Sequence, residues 1–272
     1  MAEQTADSMV ARVVRVIDAF ALGEPFLSAS DIARRADLPV ATAHRIVAEL
    51  VSVGLLQREA DRRVGIGLKL WEIATRAHQV SMLRRRALPF MEDLQFVVNQ
   101  HTQLAILDRE NAFYVEALTS RRATIPNVIP PGMRLPVLSC ATGLSLAAFS
   151  PPEVRDQLLE APITKFTERT VVDRDALRRI LGEIHSRQYA ITKGWIDVRT
   201  SGIAVPLLSS DGTVYAALSL VLPVEEADHP GHLAALRTAA NGIMRSMRPD
   251  EDQADIDSTI VAQSLKRATR AR

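Results

Sequence analysis

Residues 28–67, SASDIARRADLPVATAHRIVAELVSVGLLQREADRRVGIG, decide how this chain is read. Ser30 is placed to cap a short helix, DIARRAD, that turns Ile32, Ala33 and Ala36 inward. Leu38-Pro39 breaks that helix. Pro39 suits the first turn of the next one, where its missing N–H has no helical partner to lose. In that next helix Ala43, Ile46, Val47 and Leu50 recur at helical spacing and form a buried side. Thr42, His44, Arg45 and Glu49 fall on the other side, and Gly54 is a natural stop. Two helices joined by a few residues make a helix-turn-helix unit. LLQRE and RVGIG then flank Ala60-Asp61-Arg62, and short extended runs about a polar turn read as a β-hairpin with Arg58, Arg62 and Arg63 at or near its tip. The whole stretch is a winged helix-turn-helix.

That shape points to double-stranded DNA, because a helix fits the major groove and its first turns face base edges. Val40, Ala41, Thr42, His44 and Arg45 occupy those turns. Arg45 suits guanine or a phosphate, Thr42 a phosphate or a thymine methyl, and His44 either a base or a phosphate. Arg62 and Arg63 would reach the backbone or the minor groove from the wing. Ser30, Arg34 and Arg35 are the contacts expected of the preceding helix. Charge argues less loudly than pattern. Residues 28–65 hold six Arg (34, 35, 45, 58, 62, 63) against five acids (31, 37, 49, 59, 61), a net of +1. One copy should therefore bind DNA weakly, and affinity should come from two half-sites read by a dimer.

Working outward, Val10, Val13, Val14, Ile17 and Phe20 give an earlier helix with one apolar stripe, capped by Ser8 and ended by Gly23 and Pro25. The winged unit spans residues 8–67. Leu68, Trp71 and Ala74 continue into a linker helix over 68–81. A second domain, 82–247, opens on a helix at about 82–99 in which Pro89 is expected to break or kink the rod. Gln103–Leu107 and Phe113–Leu118 read as strands about the turn 108–111. IPNVIPPGMRLPVLSCATG reads as extended chain entering a helix, Ala141–Phe149. Ser150-Pro-Pro-Glu153 reads as a capping box, and Asp173 as the cap of RDALRRILGEIHS. GIAVPLL and TVYAALSLVL, about the turn 210–212, are apolar enough for central strands. His232–Met247 is amphipathic. Residues 248–272 run from acidic to basic and read as a mobile tail. The fold class is α+β: a winged helix-turn-helix, a linker helix and an antiparallel-sheet, GAF-like domain.

The totals set the bounds. In 272 residues the hydrophobic share is 47% and the net charge +1. The chain can bury real cores, and no global charge points to nucleic acid. Its single cysteine, Cys140, rules out an internal disulfide and a multi-Cys metal site and fits a reducing cytoplasm. No segment reads as a signal peptide or membrane span, so no membrane partner is expected. The six histidines lack ligand spacing, so neither a metal nor another cofactor is expected. A nucleophilic role for Cys140 would need a base; His185, His229 or His232 could supply one only through the fold, and a buried structural thiol is the simpler reading. No catalytic residue is assigned.

ASDIARRADLPVATAHRIVAELVSVGLLQRE, PPGMRLPVLSCATGLSLAAFSPPEV and GIAVPLLSSDGTVYAALSLVLP stand in this order, after a wing and a linker helix. In them the chain resembles the IclR family of bacterial transcriptional regulators over about residues 8–247. The resemblance implies a small-molecule effector domain and dimers that pair into homotetramers. It also implies where the effector sits: the entry to the helix at 139–143 and the segment 192–202. Ser139, Cys140, Ala141 and Thr142 offer a helix N-terminus to a carboxylate. Thr192, Asp197, Arg199, Ser201 and Gly202 add polar or close contacts, and Trp195 a wall. Arg199 beside Trp195 suits a small organic or aromatic acid. The chain departs from the family at Leu144, where Lys is usual, at Gly202, where Cys is frequent, and in QYAITKGWIDVRTSG, which lacks the customary acidic run. The expected function is ligand-responsive control of a catabolic or metabolic operon, as repressor or activator. The alternative is an enzyme carrying an accessory winged-helix domain.

Overall fold

A computed structural model describes residues 8–20, 24–76, 78–126, 129–227 and 230–247. Gly23, His229 and the tail 248–272 lie outside them. Contacts divide the chain between Ser81 and Met82 into two compact units.

In the first unit α1 (Met9–Asp18) is capped by Ser8, whose Oγ accepts from Ala11 N at 3.1 Å. Its apolar residues do not form one stripe. Val13, Val16, Ile17 and Phe20 pack on the core, whereas Met9, Val10 and Val14 face outward. α2 (Ala29–Arg35) is capped by Ser28, not Ser30. Ser28 Oγ accepts from Asp31 N at 3.1 Å and donates to the Asp31 carboxylate at 2.6 Å. Leu27 before the cap and Ile32 after it are both buried in the same core, a staple that fixes the entry of the chain. That staple selects Ser28 over Ser30, which sits exposed in the first turn. α3 (Val40–Ser52) buries Ala43, Ile46, Val47 and Leu50 as its pattern requires. Pro39 stands just before its first residue. The helix closes with Gly54 at φ +80°, Gly54 N donating to Val51 O and Leu55 N to Leu50 O. That pair of bonds needs a left-handed residue, which glycine supplies at no steric cost. The wing strands β2 (Leu56–Arg58) and β3 (Val64–Ile66) pair as expected, and a two-residue strand, β1 (Phe26–Leu27), adds to β3 on its other edge.

The linker helix is shorter than its pattern suggested. α4 spans Leu68–Ala74 and ends at Thr75, and no residue of it is buried. A new helix, α5 (His78–Val98), runs through Pro89 without a break. Its buried residues Leu83, Ala87, Met91 and Leu94 hold it against a sheet, which offsets the one helical hydrogen bond the proline cannot make.

The second unit is a six-stranded antiparallel sheet in the order β6-β5-β4-β9-β8-β7: β4 (His101–Asp108), β5 (Asn111–Leu118), β6 (Arg134–Pro136), β7 (Ala190–Lys193), β8 (Thr200–Leu208) and β9 (Val214–Pro223). One face carries large side chains, Leu104, Ile203, Val205, Leu207, Leu218 and Leu220, under α5 and α9 (Pro230–Met247). The opposite face carries small ones, Ala105, Ala204 and Ala217, under α6 (Ala141–Ala148), with α7 (Pro152–Glu160) and α8 (Arg174–Arg187) beyond. Strand periodicity separates the two sets. Small residues let α6 lie close on the sheet, and all eight of its residues are buried. A tight turn, Val137–Ser139, delivers the chain into it. Asp173 caps α8, accepting from Ala176 N at 2.8 Å. The expected capping box at Ser150 is not formed: Ser150 Oγ donates to Leu146 O at 2.9 Å, and α7 starts behind Pro151 with no side-chain cap.

Candidate functional site

Of the residues read for DNA, Val40, Ala41, His44 and Arg45 stand exposed on the first turns of α3, with Thr42 half-buried beside them. Among the described residues the side chains of Arg45 and Arg62 have no hydrogen-bond or ion-pair partner in the chain. Three other arginines are already engaged. Arg34 pairs with Asp31 at 2.6 Å, and Arg63 with Asp61 at 2.6 Å while lying over the Phe26 ring. Arg35 pairs with Glu24 and donates to Ala19 O at 3.2 Å, tying α2 to the end of α1. Arg35 is thus a bracing residue of the domain, which the sequence pattern could not distinguish from a phosphate contact.

The second unit holds a cavity of about 60 Å³. One water needs about 10–15 Å³ on that measure, so the space takes several, or a small organic molecule. Its walls include Cys140, Ala141 and Thr142 from the start of α6, Thr192 from β7, Trp195 and Asp197 from the turn, and Ser201 and Gly202 from β8. These are eight of the ten residues singled out for an effector. Of the other two, Ser139 is fully buried, lines none of the cavity, and donates to Thr164 O at 2.7 Å, so its role is to pin the turn before α6. Arg199 is also misplaced by the sequence reading. It lies 68% exposed, outside the walls, and clamps Asp197 with two side-chain bonds, at 3.1 and 2.7 Å. That clamp, with the Arg199 backbone N–H, holds the Asp197 carboxyl down at about 2.

Each wall has a local cause. Gly202 faces α6 so closely that a Cβ there would stand 3.1 Å from Ala141 Cβ. Thr142 Oγ1 donates to Ser219 Oγ at 2.9 Å, fastening the helix start to β9. Trp195 is held by its backbone, its carbonyl accepting from Thr170 Oγ1 at 2.7 Å. Tyr114 reaches in from β5, and its hydroxyl donates to Cys140 Sγ at 3.7 Å. Burial pushes the Cys140 thiol above its usual range and the Tyr114 phenol well above its own, so both are neutral. Ser201 is 1% exposed, pairs with Leu222 and shares its face of β8 with Ile203 and Val205, and among the described residues its Oγ has no hydrogen-bond partner. Sequence reasoning missed Gln103 and Tyr114 on this wall. Gln103 did leave a signal, a polar residue just before the apolar run Leu104–Leu107.

The geometry defines a protein with a winged helix-turn-helix unit and a separate α+β unit built around a small, mostly apolar cavity. Residues 75–245 match the bacterial transcriptional regulator IclR C-terminal family, and residues 9–60 match the IclR helix-turn-helix domain. The chain belongs to the IclR family of DNA-binding transcriptional regulators; it is a regulator, not an enzyme. It is similar to an IclR homolog from Microbacterium hydrocarbonoxydans whose crystal structure is complexed with 4-hydroxybenzoate: 43% identity, TM-score 0.83, covering 89% of this chain and 99% of that one. An IclR homolog from Microbacterium sp. strain HM58-2 is 42% identical with a TM-score of 0.59, covering 90% and 100%. The glycerol operon regulatory protein of Streptomyces coelicolor is 28% identical over 244 residues, 87% of this chain and 94% of that protein. Among the described residues no helix is long and apolar enough to cross a membrane and no His, Cys, Asp and Glu cluster could hold a metal.

Proposed function

We propose that the cavity between α6, β7 and β8 binds a small aromatic acid and that its occupancy sets the affinity of α3 for an operator. The observation that carries this is the cavity itself, about 60 Å³ with mostly apolar walls at the start of α6 and with Thr142, Thr192 and Asp197 among its polar lining residues. Trp195 and Leu135 give a ring apolar walls. The 4-hydroxybenzoate complex of the Microbacterium hydrocarbonoxydans homolog supports the same ligand class.

Arg45, His44, Thr42, Ala41 and Val40 read the operator from α3, Arg62 and Arg63 touch phosphates from the wing, and Ser30 and Arg34 do so from α2. The working species is a dimer or tetramer. α4 supports this, since a seven-residue helix with no buried side chain and with Leu68 at 77% and Trp71 at 64% exposure has little to hold it in a single copy.

Thermal unfolding with 4-hydroxybenzoate tests the ligand reading. At 100 times Kd a ligand adds about 2.7 kcal/mol. For a domain of this size, that is a rise in Tm of about 5–11 °C. A flat Tm across benzoate, 4-hydroxybenzoate and protocatechuate at millimolar concentration would remove aromatic acids from consideration.

A further inference from the structure

After β5 the chain forms a strap, residues 119–126. None of the eight is buried, yet Pro126 lines the cavity while standing exposed, so the strap separates the cavity from solvent. With no side chain in a core, such a strap depends on hydrogen bonds, and two of them go to one ring. His101 opens β4 and is 1% exposed. It shares the α6 face of that strand with Gln103, which lines the cavity, and its strand partner Val221 lines it too. Ser120 N donates to His101 Nδ1 at 3.1 Å, and His101 Nε2 meets Ile125 O at 2.7 Å. A backbone N–H can only donate and a carbonyl can only accept. The ring is therefore the neutral tautomer with its proton on Nε2, and Nε2 donates. The two bonds grip the strap on either side of the exposed Arg121, Arg122 and Thr124. Arg122 adds a longer tie, to Asn99 Oδ1 at 3.4 Å.

Resting on the reading of this cavity as the effector site, we infer that the 119–126 strap is the gate through which the effector enters and leaves, and that His101 is the positioning residue that latches it shut. His101 lies outside the cavity walls, so it touches no ligand. It acts through Pro126, the residue next to the latched Ile125 carbonyl. The latch is made from the chain's own groups and closes the empty and the filled cavity alike. It therefore sets how fast the effector exchanges, not how tightly it binds, because a group that favours both states equally shifts neither against the other.

Stopped-flow tryptophan fluorescence of the full chain with 4-hydroxybenzoate reads both rates, because Trp195 lines the cavity. His101→Phe keeps a ring in the strand and deletes both bonds. Its association and dissociation rates are expected to rise together by about thirtyfold, with Kd within about twofold of the parent. His101→Asn keeps an acceptor near the Nδ1 position and nothing at Nε2, and is expected to speed both by about fivefold. Trypsin digestion read by mass spectrometry should cut after Arg121 and Arg122 faster by about the same factors in the unliganded variants. In the wild-type chain the Ser120 amide is expected to exchange with solvent at least about tenfold more slowly than an unstructured amide. Unchanged rates in a folded variant, or a dissociation rate that rises alone and carries Kd with it, overturn the gate. An unprotected Ser120 amide overturns the latch, even where both substitutions prevent folding. A wild-type chain that binds no 4-hydroxybenzoate by calorimetry at millimolar concentration takes down the effector-site reading and the gate with it. The trypsin and exchange results need no ligand and judge the latch separately.

Discussion

Gly143→Ala and Gly182→Ala are the same substitution in two helices, and the structure gives them opposite signs. Helix propensity alone favours alanine at both, by about 1 kcal/mol. At Gly182, on the exposed side of α8, an added Cβ meets nothing within 4 Å. The gain should then be realised, about 0.4–1 kcal/mol, which raises Tm by about 1–4 °C. At Gly143 the Cβ would stand 2.0 Å from Val137 O and 2.6 Å from Val137 C and Cα. Those atoms are the backbone of the buried turn that leads into α6, so no side chain can swing aside. Overpacking of this kind costs about 1–3 kcal/mol, and a backbone collision belongs at the upper end. The expected loss, after the propensity gain, is about 2 kcal/mol, or roughly 4–8 °C in Tm. Thermal unfolding of both variants, followed through far-ultraviolet circular dichroism, measures the pair side by side. If Gly143→Ala is as stable as the parent, α6 does not pack on the 137–139 turn as described. The cavity wall built on Cys140, Ala141 and Thr142 would then be wrong too.

Further outcomes follow from single groups. Arg45→Ala should lose about 1–3 kcal/mol of operator affinity per half-site with Tm unchanged, by fluorescence anisotropy on a promoter fragment. Arg35→Ala should lower Tm instead, since its guanidinium bonds Glu24 and Ala19 O. Cys140 is the chain's one cysteine, so thiol titration reports it alone. Its raised pKa and burial predict slow reaction with Ellman's reagent at pH 7–8, and saturating effector should slow it further because the thiol lines the cavity. Asp197, with a folded pKa of about 2 against a usual 3.8, contributes stability that is present above pH 4 and lost as pH falls toward 2. Asp197→Asn should therefore flatten the acid limb of the stability curve, by a small amount, because the pair is solvent-exposed.

Much of this was legible in the residues. Apolar spacing placed α3 and its buried face, the wing, the β8–β9 hairpin and the helix start at Ala141, because each depends on local pattern. The differences arise where local signals compete. Ser28 and Ser30 are both caps by type, and Leu27 with Ile32 decided between them. Pro89 breaks an isolated helix, yet burial of Met91 and Leu94 holds α5 together. Strands β1 and β7 are only two and four residues long, too short for a period to show. For the cavity, the sequence found the elements but not the partners. Arg199 looked like a carboxylate ligand, and only the fold shows it turned onto Asp197. Tyr114 lies on a strand far along the chain, and nothing local marks it as facing Cys140.

The central claim is that the cavity and the DNA-reading helix are coupled. Anisotropy titration of the promoter fragment, with and without saturating 4-hydroxybenzoate, measures that coupling directly. A change in operator Kd of about five- to 150-fold is expected. An operator Kd that is identical in the two titrations, with calorimetry showing the effector bound, would contradict the account.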